Sequence, residues 1–165
     1  SATVSFTTGI DATYNEYQWH FVNMHPSAQP SNFSFQVNAS GQTGFNETIT
    51  STSFRAIHNE GNTDASLTYE AARDQAQGTA YQVMTAAQGT DADQSASGVL
   101  TLYAPSSTTY VKHFTSTVQF SHQSDYSIQS FTAGYVNVTA AIDEISFKFD
   151  TGNIDAGTIH MYGVG

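Results

Sequence analysis

Apolar side chains recur at every second position through most of this chain, the period of a strand with one buried face. Tyr17, Trp19 and Phe21 share a face across Gln18 and His20. Phe33, Phe35 and Val37 alternate with Ser34 and Gln36. Tyr110, Phe114, Val118 and Phe120 line one face of a long segment, with Lys112 and Ser116 as polar interruptions. Phe131, Ala133 and Tyr135 continue the theme, and Ile145, Phe147 and Phe149 alternate with Ser146 and Lys148. Ile159 and Met161 repeat it near the end, and Val4-Ser5-Phe6 opens the chain as a short strand.

Clusters of Gly, Pro, Asn, Asp and Ser separate these runs at residues 24–31, 41–44, 59–64, 89–98, 105–109, 122–125 and 151–157. Gly41-Gln-Thr-Gly44 reads as a hairpin turn whose glycines supply positive φ. Residues 67–87 are the exception. They are rich in alanine, with Tyr69, Arg73 and Gln77 at helical spacing, but Gly78-Thr79 interrupts them and Tyr81, Val83 and Thr85 alternate again. A strand, a loop or helical turn, and another strand are expected there. The whole pattern predicts an all-β chain, a jelly-roll-like antiparallel β-sandwich of about nine strands. One domain spans residues 1–165, without linker, charge run or fixed-period repeat.

Composition narrows the functional classes. Aromatic residues make up 13% of the chain, which suits pleated, half-buried surfaces, while charged residues make up only 11%. The polar surface is therefore built mainly from Ser, Thr, Asn and Gln. The net charge is -10, and the only basic side chains are Arg55, Arg73, Lys112 and Lys148. Phosphate recognition needs clustered Lys or Arg, so neither nucleic acid nor an anionic membrane surface is an expected partner. No cysteine is present, which removes disulfide and thiolate chemistry. No apolar run approaches the roughly 20 residues of a membrane-spanning helix. The opening SATVSFTTG lacks a charged n-region and an apolar core, so no signal peptide is expected in it, and neither end is expected to carry a long arm.

Candidate chemistry is thin. His20, His113 and His160 fall on predicted strands that can be neighbours, but no His-x3-His spacing occurs, and polar positions on an outer sheet face account for them. Asp91-Ala-Asp93-Gln-Ser95 has the start of a calcium loop, yet the sixth position is not Gly and the twelfth is Leu102 in place of a bidentate Glu. Asp143, Glu144 and Asp150 flank a strand and supply the carboxylates a glycosidase would need, although acids at strand ends also discourage edge pairing. Tyr14, Tyr17 and Trp19 offer a sugar-stacking platform, against which the regular spacing of Tyr17, Trp19 and Phe21 favours core packing. Asn32, Asn38, Asn46 and Asn137 stand in Asn-x-Ser/Thr sequences that matter only on a eukaryotic secretory route. No Gly-x-Ser-x-Gly, phosphate loop or dinucleotide fingerprint is present. No catalytic, metal or cofactor site is expected.

One segment carries a resemblance. Residues 141–164, AIDEISFKFDTGNIDAGTIHMYGV, resemble a recurring ending of tailed-bacteriophage virion proteins. There an I-x-x-I-x-F-x-F strand is followed by a G-N-I-x-x-G-T-I-x-x-Y-G hairpin return. The hairpin glycines here are Gly152 and Gly157, and the last strand carries Ile159, Met161 and Tyr162. Val111-Lys-His-Phe114 and Ala133-Gly-Tyr135 are similar to phage structural proteins more loosely. The resemblance implies a non-enzymatic virion structural protein and transfers no catalytic residue.

The compact length points within that class to a capsid decoration (cement) protein on the outer capsid surface. Its partners would be the major capsid protein and copies of itself, a trimer being favoured over a dimer. The alternative is a tail or fibre module recognising a host surface glycan. An edge strand at Val4, Ser5 and Phe6 is the candidate partner contact, because such a strand can pair across a subunit boundary.

Overall fold

The computed structural model describes all 165 residues, Ser1–Gly165, and contains eleven strands and no helix. They are β1 (Val4–Phe6), β2 (Glu16–Pro26), β3 (Phe33–Ala39), β4 (Ile49–Asn59), β5 (Ala65–Tyr69), β6 (Gln82–Val83), β7 (Ala96–Tyr103), β8 (Lys112–His122), β9 (Tyr126–Val136), β10 (Ile142–Phe149) and β11 (Ile154–Val164). The count exceeds the expected nine by β4 and β7: β4 turns the polar Ser51 and Ser53 inward, and β7 begins within the turn-like cluster at residues 89–98. A four-stranded sheet runs β1-β10-β3-β6 and a seven-stranded sheet runs β11-β2-β7-β8-β9-β4-β5, every pairing antiparallel. Only the β4–β5, β7–β8 and β8–β9 connections stay within one sheet. The fold is an antiparallel β-sandwich.

The two sheets close on one core of aromatic and aliphatic side chains. Tyr17, Trp19 and Phe21 project inward from β2, as their spacing predicts, and Phe33 and Phe35 meet them from β3. Phe147 on β10 sits at the centre, with ring centroids 6.2 Å from Trp19, 5.3 Å from Phe21 and 6.0 Å from Phe33. Edge-to-face and offset contacts at such separations add to the burial of the rings themselves. Strand β8 shows the alternation most cleanly: Phe114, Val118 and Phe120 are buried, while His113, Thr115, Thr117 and Gln119 are exposed. Strand β3 is buried on both faces, because Gln36 on its outer side donates to the carbonyls of Glu47, Thr79 and Ala80 at 3.0, 3.2 and 3.1 Å. Gln75 Nε2 also donates to the Ala80 carbonyl, at 3.1 Å, so two side-chain amides supply these loop carbonyls.

Four expectations change. Tyr110 lies outside β8 and is exposed; the strand begins at Lys112. Lys112 is completely buried, with Nζ donating to the carbonyls of Val138, Thr139 and Ala140 at 3.2, 2.8 and 2.6 Å, so it ties the β9–β10 connection to the core. Burial holds its ammonium below the ordinary lysine pKa. Phe131, Ala133 and Tyr135 share a face, but it is the outer face; Ile128, Ser130, Thr132 and Val136 point inward from β9.

The glycine-marked turns, finally, are corners between sheets. β3 and β4 lie in different sheets, as do β10 and β11, so neither pair forms the expected hairpin, although Gly41, Gly44 and Gly152 do have positive φ. In residues 67–87 the strand–turn–strand expectation matches β5, a turn in which Arg73 and Asp74 donate to the Glu70 carbonyl, and β6.

Candidate functional site: the outer face of the seven-stranded sheet

Of the three carboxylates weighed for catalysis, Asp150 and Glu144 are far apart and each is hydrogen-bonded to β3 or its start. Asp150 accepts from the Asn32 backbone N–H at 2.8 Å, the Asn32 amide at 2.6 Å and Ser31 Oγ at 3.2 Å, which fixes the start of β3. Glu144 accepts from the Asn38 amide at 3.1 Å. Glu144 and Asp150 lie six residues apart along β10 and its end, roughly 20 Å in an extended chain, well beyond the roughly 5–9.5 Å of a glycosidase pair. Asp143 is adjacent to Glu144 and makes no hydrogen bond or ion pair in the structure.

The calcium-like loop is organised by a buried glutamine. Gln94 Oε1 accepts from the Asp91 N–H at 3.3 Å, while Nε2 donates to the His122 carbonyl at 3.3 Å and Asp125 Oδ1 at 3.4 Å. Asp91 and Asp93 point to solvent, and nowhere do three His, Asp or Glu side chains come together as metal ligands would. Of the glycosylation-type asparagines, Asn46 and Asn137 are exposed, Asn38 is buried and Asn32 is held by Asp150. Trp19 and Tyr17 are buried, so the sugar-stacking platform placed on them and Tyr14 does not form. Val4 and Phe6 lean on the core and Ser5 is exposed; together they form an edge strand, paired on one side only, to β10.

An open cleft of about 380 Å³ lies on the inner side of β4 and β9, lined by Arg55, Ile57, Asp64, His122, Ser124, Tyr126 and Ile128. Its charges are already engaged. Arg55 and Arg73 both reach Glu70, at 2.9 and 2.8 Å. His122 Nδ1 accepts from the Ser124 N–H at 3.1 Å, and burial first, then the Arg55 and Arg73 charges, lowers its pKa. The ring is therefore a neutral imidazole carrying its proton on Nε2.

The outward surface of the seven-stranded sheet is of another kind. Strand register aligns Tyr69, Phe54, Phe131, Thr117, Val99, His20 and His160 in one row across all seven strands. The next row runs Thr52, Ala133, Thr115, Thr101, Gln18 and Tyr162. A third contains Thr50, Tyr135 and His113 with Tyr103, Glu16 and Val164, and on the opposite side lie Leu67, Ala56, Gln129, Gln119 and Ser97. His20 and His160 are thus direct cross-strand partners, as their placement suggested, but His113 stands two rows and two strands away. In place of a third histidine, Tyr162 packs on His20, with ring centroids 4.9 Å apart, and Gln18 Oε1 lies 3.0 Å from His20 Nε2.

Glu16 is the only charged side chain in these rows, in a chain with fourteen carboxylates. The exposed large hydrophobic side chains number nine; six stand in these rows, Phe54, Leu67, Tyr69, Tyr103, Tyr162 and Val164, and Val22 follows His20 on β2, opposite Thr158. Phe54 and Phe131 stack on each other at 4.8 Å with planes 11° apart, so each ring covers one face of the other. The sequence concealed this surface because outward Phe131 and inward Phe114 obey the same two-residue period. Comparison with protein-family models, curated proteins and solved structures finds no match to this chain.

Proposed function

We propose that this chain is a non-enzymatic structural protein whose outer seven-stranded face is its association surface, and that it serves as a decoration (cement) protein on the outside of a bacteriophage capsid. The observation that carries the first part is the segregation of surface chemistry. Seven of the nine exposed large hydrophobic side chains lie on this face, and Glu16 is the only carboxylate in its four rows; Asp155 on β11 and Glu60, Asp93 and Asp125 near Gln119 lie at its margins. Exposed large apolar side chains gathered on one face mark interaction sites. The virion placement rests on the ending at residues 141–164. Its two strands are structural: β10 is flanked on both sides in the smaller sheet, and β11 is the first strand of the association face. A protein that binds only the mature shell stabilises that shell by mass action, and neighbouring capsomers joined through it resist outward pressure.

The test is the copy number and position of the chain in purified virions, by quantitative mass spectrometry and cryo-electron microscopy. Hundreds of copies distributed over the capsid are expected. Density confined to the tail, or absence of the chain from the particles, overturns the placement.

A further inference from the structure

We infer that the occupant of the outer face is a second copy of this chain, the two sheets meeting face to face about a two-fold axis. The inference rests on reading that face as the association surface and goes on to name its partner. Charge is the first reason. A cationic partner would be drawn to the surfaces that carry carboxylates. A partner bearing the same net charge of -10 needs a contact region from which charge has been cleared, and a copy of the chain is such a partner.

Size is the second reason. Seven strands and four outward rows give a footprint about 29 Å by about 20 Å, roughly 600 Å² per copy, the size of a small reversible interface. Geometry is the third. The face is a single surface with its bulky side chains towards the two ends, Phe54 and Tyr69 on one side and Tyr162 and His20 on the other, with Thr101, Thr115 and Ala133 between them. A single surface meeting its own copy is isologous and closes as a pair. The mutual stacking of Phe54 and Phe131 leaves each with one ring face already covered, which suits interdigitation with another sheet better than the stacking of a sugar ring on an open aromatic face.

The experiment is sedimentation velocity of the full chain over a concentration series, joined to hydroxyl-radical footprinting. The expected result is a reversible species of twice the 17.8 kDa chain mass. In that species Tyr69, Tyr103 and Tyr162 are protected, while Tyr14 and Tyr110, which are exposed off the face, react as in the monomer. Leu67→Asp and Tyr162→Asp each weaken association by roughly 100-fold with an unchanged circular dichroism spectrum, since each places carboxylates opposite an apolar surface.

A wild-type chain that stays at 17.8 kDa throughout overturns the pairing, as does protection spread equally over all five tyrosines. Protection of the face in a monomer by an added neutral oligosaccharide overturns it in favour of a glycan. If the wild type is monomeric but Leu67→Asp abolishes its binding to expanded shells, the pairing fails while the face remains the association surface. If Leu67→Asp leaves both self-association and shell binding intact, that surface assignment falls as well. Footprinting needs no substitution, so it decides the question even if a variant misfolds.

Discussion

Tyr17 shows how one side chain can organise a loop before its own strand. Its ring is buried in the core, and its hydroxyl donates to Asp11 Oδ1 at 2.9 Å while accepting from the Asp11 N–H at 3.1 Å. Burial raises the pKa of the phenol above 10.0, and the Asp11 carboxylate adds to the effect. A folded phenol that keeps its proton longer than the unfolded one contributes stability fully present below pH 10.0 and lost as pH rises from there through the raised value. Urea unfolding of the wild type is therefore expected to weaken more steeply above that pH than unfolding of Tyr17→Phe. Near neutrality Tyr17→Phe costs about 1–2 kcal/mol for the lost hydrogen bonds. Equal alkaline slopes for the two proteins would remove Tyr17 from this role.

Lys112 belongs to the same scale and marks a limit of pattern reading. A lysine in an apolar row looks like an interruption. Its four-carbon stem nevertheless fills core space, and its ammonium collects three loop carbonyls that no strand partner reaches.

Among the elements, β2 and β11 are joined by opposed irregularities. Asn23 adopts φ 51° where the β2 register shifts, and Gly157 adopts φ 114° across from it on β11. A Cβ at Gly157 would lie 2.8 Å from the Asn23 carbonyl oxygen and 2.8 Å from Met24 Cα. Gly157→Ala is expected to cost about 2–4 kcal/mol, combining left-handed strain with a backbone clash. Gly41→Ala, at φ 81° with open space around it, is expected to cost only about 1–2 kcal/mol from strain alone. Thermal unfolding of the two variants checks the ordering, and equal losses would show that crowding at the β2–β11 bulge is unimportant. Both glycines read as turn residues in the sequence. What could not be read is that Gly157 lies inside a strand, because a bulge is defined only by the partner opposite it.

For the whole molecule, the arrangement of charge matters more than its amount. Carboxylates on the loops, on β10 and at Asp155 on β11 repel between copies, while the four rows of the outer face contribute only Glu16. Added salt screens that repulsion without weakening apolar contact. Self-association is thus expected to strengthen between about 0.01 and about 1 M salt, as the screening length falls from about 30 to about 3 Å. Weakening over the same range, followed by sedimentation, would show that ion pairs hold the copies together.

By itself, the sequence determined the class of fold, most strand positions and the inward set Tyr17, Trp19, Phe21, Phe33, Phe35, Phe147 and Phe149, because a two-residue period with aromatic and β-branched side chains suits only a half-buried pleated surface. The acidity and the scarcity of Lys and Arg were equally legible. Only the tertiary structure decided which face of each strand meets the other sheet, which turns are hairpins and which are corners, and where the exposed aromatics gather. Alternation is a property of a single strand and is the same whichever side is buried. The side is chosen when a four-stranded sheet covers one surface of a seven-stranded one, and that choice left Phe54, Phe131 and Tyr69 at one end and Tyr162 at the other end of an outer face whose rows hold one carboxylate, Glu16.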